Sequence, residues 1–449
     1  MAFIQTIIQK VNNKHVLSLA GNGSMAVLAM LTVAILFRNL SLVQMGSWVF
    51  FQTIFTLIDG FRSGFLQTAL IKFYSGVEHA KAKLVLGSTW YIALLLTFFF
   101  LVINFILYVI LSLSSDANPD FQTAVKWFGV TFLMSLPYNV STWILQADQR
   151  FDRLLLLRLI SQILLISFVL VLIYTENINL NSVLIANLIA LSVTSLFTIL
   201  KKWSGIEYWF SRTKDNVKEL FHFGKYSVGS MVSSYLLRSS DNFIIMFFLG
   251  PSAVAMYSIP LRLMEIIEIP LRSFMATAMP AMSNAFNQNK IKDLTNIMNK
   301  YIGLLTLSLL PISIIAVLLA QYAVSLIGGE KYITTDAVFA YQVLMSFTIL
   351  YPLDRFLGVT LDIINKPSLN FIKVVLMLVV NIVFDVIAIN TLNSIIGVAL
   401  ASFFTFTVGI VFGYYSLKKY LNFKLSDVWM SSIKEVKLVL NKNLKVRKL

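Results

Sequence analysis

Six charges stand out in residues 238–272, where Arg238, Asp241, Arg262, Glu265, Glu268 and Arg272 are set into apolar sequence on either side of Gly250-Pro251. A charged side chain at the centre of a membrane helix is disfavoured by roughly 2.5–3.5 kcal/mol on insertion scales, so such residues face a cavity, a partner or both. Arg238 and Asp241 extend a stripe with Ser227, Ser230 and Ser234 whose steps of three and four residues keep it on one helical face. Arg262, Glu265, Glu268 and Arg272 fall within an arc of about 120° by the same arithmetic. An earlier apolar run carries Asp59 and Arg62, and the first run offers Ser18, Asn22 and Thr32 with Gly21 beside them. The chemistry this predicts is a polar path through a membrane, walled by four helices. Asp385, one turn from Asn381 and without a local cation, is a candidate proton or sodium site.

Pairing along single helices explains part of the pattern, because Asp59 and Arg62, Arg238 and Asp241, Arg262 and Glu265, and Glu268 and Arg272 stand three or four residues apart. It does not explain why charges gather in corresponding helices of two halves. Their signs are mixed, which argues against a plainly basic pocket. Asp354-Arg355, following Pro352 at an expected kink, is taken as a structural pair near the cytoplasmic end, with a gating role as the alternative.

Bond-making chemistry finds no support. The chain has no cysteine, which excludes disulfides, thiolate metal sites and cysteine nucleophiles. His15, His79 and His222 lack metal-ligand spacing, and neither a phosphate-binding loop nor a Ser/His/Asp set occurs. No catalytic residue, metal ligand or cofactor is expected, and the chain is taken as a secondary carrier rather than an enzyme. Whether a proton or sodium gradient drives it is left open.

The elements that must position these residues follow from composition. Of 449 residues, 58% are hydrophobic and 13% charged, with mean hydropathy +0.79. Runs of about 20 apolar residues, each enough to cross a bilayer as a helix, are expected at 15–37, 42–71, 85–112, 123–146, 155–174, 181–202, 224–248, 252–284, 301–327, 336–362, 368–390 and 395–417. The first lacks a cleavage pattern and is expected to stay as a helix. The breaks on one side hold most of the Lys and Arg, among them Lys72, Lys81, Arg150, Lys201, Lys290 and Lys373, whereas Arg38, Lys126 and Lys331 lie opposite. Both termini are therefore expected in the cytoplasm. The net charge of +15 follows this topology and does not indicate nucleic acid. Outer loops are short, leaving no room for the domain a membrane glycosyltransferase or polymerase needs.

A charged, aromatic segment at 204–223 divides an N-terminal lobe, 1–203, from a C-terminal lobe, 224–417, and a basic tail follows at 418–449. The tail spaces Trp429, Ile433, Val436 and Leu440 as a helix on an anionic membrane surface would. Residues 41–47 match 252–258 at an offset of 211, and Arg62 then falls one residue from Arg272. The expected fold is all-α and polytopic, with two pseudo-symmetric six-helix lobes around a central cavity.

Residues 249–283, LGPSAVAMYSIPLRLMEIIEIPLRSFMATAMPAMS, resemble a signature of bacterial polysaccharide flippases of the O-antigen type, within the MATE-like MOP superfamily. The resemblance continues through residues 328–332, Asn365-Lys366-Pro367 and residues 397–402. It implies alternating access that moves an undecaprenyl-diphosphate-linked oligosaccharide, an O-antigen, lipopolysaccharide or capsule unit, from the inner to the outer leaflet of the bacterial cytoplasmic membrane. Arg62, Arg238, Arg262 and Arg272 would then meet the diphosphate, for which guanidinium geometry is suited. Asp59, Asp241, Glu265, Glu268 and Asp385 would hold them or carry a coupling cation. The implied partners are the lipid-linked substrate, membrane lipids, a polysaccharide polymerase and glycosyltransferases, around a monomeric protein. A cation-coupled multidrug exporter shares the architecture and is the alternative.

Overall fold

The computed structural model describes residues 14–114, 119–421 and 423, with the side chains of 14–23, 226, 227, 229, 230 and 276 outside the description. Among the described residues every regular element is a helix. In the N-terminal part these are α1 (Lys14–Asn39), α2 (Leu42–Tyr74), α3 (His79–Leu113), α4 (Pro119–Met134), α5 (Leu136–Ala147), α6 (Phe151–Tyr174) and α7 (Leu180–Leu200). There follow α8 (Lys214–Leu249), α9 (Pro251–Asn287), α10 (Ile291–Leu318), α11 (Ala320–Gly328), α12 (Ala337–Phe347), α13 (Tyr351–Ile363), α14 (Pro367–Leu392) and α15 (Ile395–Lys418).

Among the described residues seven spans are long and apolar enough to cross a membrane: α3, α6, α7, α10, α12 with α13, α14 and α15. Their outward residues, such as Phe98, Phe99, Phe105 and Ile106 on α3, are exposed and apolar, which suits lipid and would not suit water. The protein is a multi-pass membrane protein. Helices α2, α8 and α9 are 33, 36 and 37 residues long but interrupted by the charges already named. The turn between α8 and α9 depends on Gly250, whose φ of 80° favours a residue without Cβ, and Pro251 then starts α9 where no amide donor is needed.

The expected spans at 123–146, 301–327 and 336–362 each fall on two helices rather than one. The break at Ser135 has a clear cause. Pro137 has no N–H, and the Tyr138 amide leaves the helical ladder for Ser195 Oγ on α7, at 3.3 Å, while that hydroxyl donates to Met134 O at 2.6 Å. A side chain is thus inserted where a backbone bond would be, and the freed groups stay satisfied. A similar break precedes Pro352, where Ser313 Oγ and Thr348 Oγ1 both donate to Met345 O, at 2.6 and 2.7 Å.

The chain divides into two compact units, Met1–Tyr235 and Leu236–Leu449. The division falls inside α8, beyond the 204–223 segment marked as a linker by its composition. That segment packs on the first unit. Trp90 Nε1 donates to Ser204 O at 2.8 Å, the Arg212 guanidinium lies 4.3 Å from the Tyr91 ring centre, and Phe223 meets Phe73 edge to face. The second unit has its own core, in which Phe356, Leu357, Met298 and Leu417 are fully buried. The tail residues Trp429, Ile433, Val436 and Leu440 lie outside the described residues.

Candidate functional site

Within the first unit Arg62, expected on a cavity wall, is 0% exposed. Its Nε and Nη2 donate to Asp59 Oδ1 at 3.2 and 2.5 Å, Nη1 to Thr97 Oγ1 and Phe132 O at 3.1 and 3.2 Å, and Nη2 also to Ser135 Oγ at 2.9 Å. The Phe132 ring covers the guanidinium at 4.0 Å. Every N–H of the fork is used, so none is left for a phosphate. Asn139 Nδ2 completes the set by donating to Asp59 Oδ1 at 2.8 Å. Arg62 therefore braces the break between α4 and α5, because Phe132 and Ser135 are its acceptors there. Thr32 is also buried, receiving a bond from Gln162 at 2.6 Å, whereas the side chains of Ser18, Asn22, Ser227 and Ser230 lie outside the description.

The second unit presents the remaining arginines differently. Arg238, Arg262 and Arg272 have side chains 57%, 38% and 60% exposed, and Arg355 joins them at 51%. Two glutamates serve these four cations. Glu265 Oε1 accepts from Arg238 and Arg262, each at 3.3 Å, and Glu268 pairs with Arg272 and, at 3.8 Å, with Arg355. Cation exceeds acid on this accessible face, and each exposed fork keeps N–H groups for an anion. The expected pairing of Arg262 with Glu265 and of Arg272 with Glu268 is observed, as is that of Asp59 with Arg62. Arg238 turns instead from Asp241 to Glu265 on α9.

Asp241 belongs to another group. Asn381 Nδ2 donates to Asp241 Oδ1 at 3.1 Å and to Asp385 Oδ2 at 2.6 Å, so one amide spans both acids. Tyr257 Oη donates to Asp241 Oδ2 at 2.8 Å. Asp385 and Tyr257 are wholly buried, and Asp385 Oδ1 receives no bond from an amide or hydroxyl. Two neighbouring carboxyl groups, one with a buried oxygen that no amide or hydroxyl bonds, offer hard oxygen ligands suited to a small cation or a proton, while the Asn381 amide turns its N–H groups to both.

The mixed signs along the sequence thus separate in space. A third association, missed in the sequence, removes Asp354 from its expected pairing with Arg355: Lys373 Nζ lies 2.6 Å from Asp354 Oδ1 and 2.8 Å from Asp354 O. Both side chains are almost fully buried, so Lys373 is not the loop charge its position near the start of α14 suggested. Its neighbours at four-residue steps, Met377, Asn381, Asp385 and Ile389, form the buried stripe of α14, and that period was the available signal. Arg355, expected to pair with Asp354, faces Glu268 instead.

A multi-pass helical bundle with an arginine-bearing face and a separate buried acid cluster defines a polytopic membrane protein with two distinct charged sites. Solved structures agree on the fold. A lipid II flippase, MurJ, in an inward closed conformation matches with TM-score 0.75 at 17% identity over 96% of this chain and 93% of that one. An inward-facing multidrug resistance MATE transporter of the MOP superfamily matches with TM-score 0.70 at 17% identity over 88% and 96%. The model of the polysaccharide biosynthesis protein family matches residues 35–337, more than half of the sequence, and the chain belongs to that family. Relatives include a protein of Haloferax volcanii named as a low-salt glycan biosynthesis flippase, 25% identical over 46% of this chain and 44% of its own length. Another, from Shigella flexneri, is named as an O-antigen transporter and is 23% identical over 57% of this chain and 61% of its own. The aligned part thus spans about half the length of these relatives.

Proposed function

We propose that the protein flips a lipid-linked oligosaccharide, carried on undecaprenyl diphosphate, from the inner to the outer leaflet of the bacterial cytoplasmic membrane. The observation that carries this reading is the accessible group of Arg238, Arg262, Arg272 and Arg355, where two glutamates orient four guanidiniums without neutralising them. A diphosphate is the anion that matches planar, bidentate donors. Membership of a polysaccharide biosynthesis family and relatives named for glycan flipping support the sugar cargo. Twelve crossings, two lobes, cytoplasmic termini and a monomeric state complete the reading, with polymerase and glycosyltransferases as functional neighbours. The protein performs no bond-making step.

Asp241, Asn381 and Asp385 are proposed as the coupling site for sodium or a proton. The buried Asp385 Oδ1 without an amide or hydroxyl donor supports this assignment. A cation bound there would supply the positive charge that the acids otherwise lack, and their role is to hold it away from the arginines.

The test is flipping of a lipid-linked oligosaccharide by protein reconstituted in vesicles, with Arg262→Ala beside the wild type. Loss of one charge-assisted contact, about 1.5–3 kcal/mol, predicts transport reduced about tenfold to a hundredfold with normal membrane insertion. Undiminished transport by the variant would remove Arg262 from the substrate site. Export of a small cationic drug in place of the lipid would overturn the function itself in favour of a multidrug exporter.

A further inference from the structure

We infer that the buried Lys373–Asp354 pair is a positioning joint linking cation occupancy at Asp241 and Asp385 to the arginine face of the second unit. This rests on the function proposed above and adds to it how the two sites communicate.

Asp354 and Arg355 are adjacent on α13 and engage different helices. Asp354 takes the Lys373 ammonium of α14 through both its carboxylate and its main-chain oxygen. Arg355 reaches Glu268 of α9, which also holds Arg272. Lys373 stands on the same buried stripe of α14 as Asn381 and Asp385, eight and twelve residues before them, or about 12 and 18 Å along a helix. One helix thus carries Asn381 and Asp385 of the acid cluster in its second half and the ammonium in its first. The chain from cation to substrate side runs Asp385, α14, Lys373, Asp354, Arg355 and Glu268.

Two further features suit α13 to move as a piece. It is short, 13 residues, and is separated from α12 by the 3₁₀ turn Thr348–Leu350, with Pro352 in its own first turn, so its tilt is not fixed by the helix before it. The slot around the pair is cut to size by glycines: a Cβ on Gly358 would lie 3.4 Å from Lys373 Nζ, and one on Gly409 2.7 Å from Asp354 Oδ1. A pair gripped this closely transmits displacement, whereas an exposed pair would swing free.

Coupling between two sites is reciprocal and typically about 5–150-fold in affinity, which makes it measurable. Full-length protein in nanodiscs is titrated with undecaprenyl diphosphate, with sodium varied at constant pH and, separately, pH varied in potassium. In the wild type one of these cations is expected to change lipid affinity by a factor in that range. In Lys373→Met with Asp354→Asn, which removes both buried charges together, the factor is expected to fall toward one, while cation affinity measured without lipid stays within about threefold. Arg355→Gln, at a half-exposed position, provides a second variant should the buried pair be needed for folding. Because Arg355 also belongs to the proposed diphosphate site, the variant's lipid affinity is expected to fall at every cation concentration, and the ratio of lipid affinities with and without cation to fall toward one, with cation affinity retained. Wild-type coupling surviving in both variants would overturn the joint and leave the proposed function intact. Lipid affinity indifferent to both cations in the wild type would overturn the coupling site and the joint together, while failure to bind undecaprenyl diphosphate would overturn the flippase reading.

Discussion

At the residue scale, one arginine type serves two purposes in this chain. Arg62 has all its donors spent inside the first unit, while Arg272, one residue away at the 211-residue offset, keeps a side chain 60% exposed. Equal depth in two halves of a sequence therefore does not imply equal surroundings. Arg62→Ala would leave Asp59 without its cation and Thr97 Oγ1 and Ser135 Oγ without the donor they accept from, while Phe132 O would keep the Ser135 hydroxyl. Removing one partner of a fully buried pair costs about 3–5 kcal/mol; Asp59 is partly exposed and keeps Asn139 as a donor, so a smaller but clear fall in thermal stability of the detergent-solubilised protein is expected. An unchanged melting temperature would deny the bracing role. The charges themselves were evident from composition, and so were three of their four local pairings. Their separation into a buried brace, an acid cluster and an exposed arginine group was not, because it depends on contacts such as Arg238 with Glu265 that bridge 27 residues.

At the scale of elements, breaks matter as much as helices. Residues 123–146 and 336–362 have the apolar composition of single spans, and hydropathy alone cannot reveal that Ser195 enters one and Ser313 supports the other. Proline was the legible sign, at Pro137 and Pro352, but its satisfying partners come from distant helices. Close packing beside α13 gives a sharper test. A methyl group on Gly409 would stand 2.5 Å from Met377 Sδ and 2.7 Å from Asp354 Oδ1. Methionine can move aside, but Asp354 is fixed by Lys373. Gly409→Ala is expected to destabilise the protein by about 1–3 kcal/mol, the usual range for overpacking, as read by thermal denaturation. Full stability in that variant would mean that the slot is looser than its geometry.

At the scale of the molecule, fold class was legible because 58% hydrophobic composition leaves few alternatives to a helical membrane bundle. The proposed orientation rests on the placement of Lys and Arg, and the absence of cysteine makes it directly measurable. Single cysteines at the exposed positions Asn289 and Lys331 are expected to react with a membrane-impermeant maleimide from opposite sides, Asn289→Cys from the cytoplasm. Labelling of both from one side would reject the proposed topology. The contact of Trp90 with Ser204 has a consequence for biogenesis. A chain grows from its N-terminus, and domains complete themselves in that order. The first unit cannot close when α7 leaves the ribosome, because Trp90, Tyr91 and Phe73 still await residues 204, 212 and 223. A nascent chain halted between α7 and α8 would hold its early helices in the membrane with an open seam, a natural point for quality control to act.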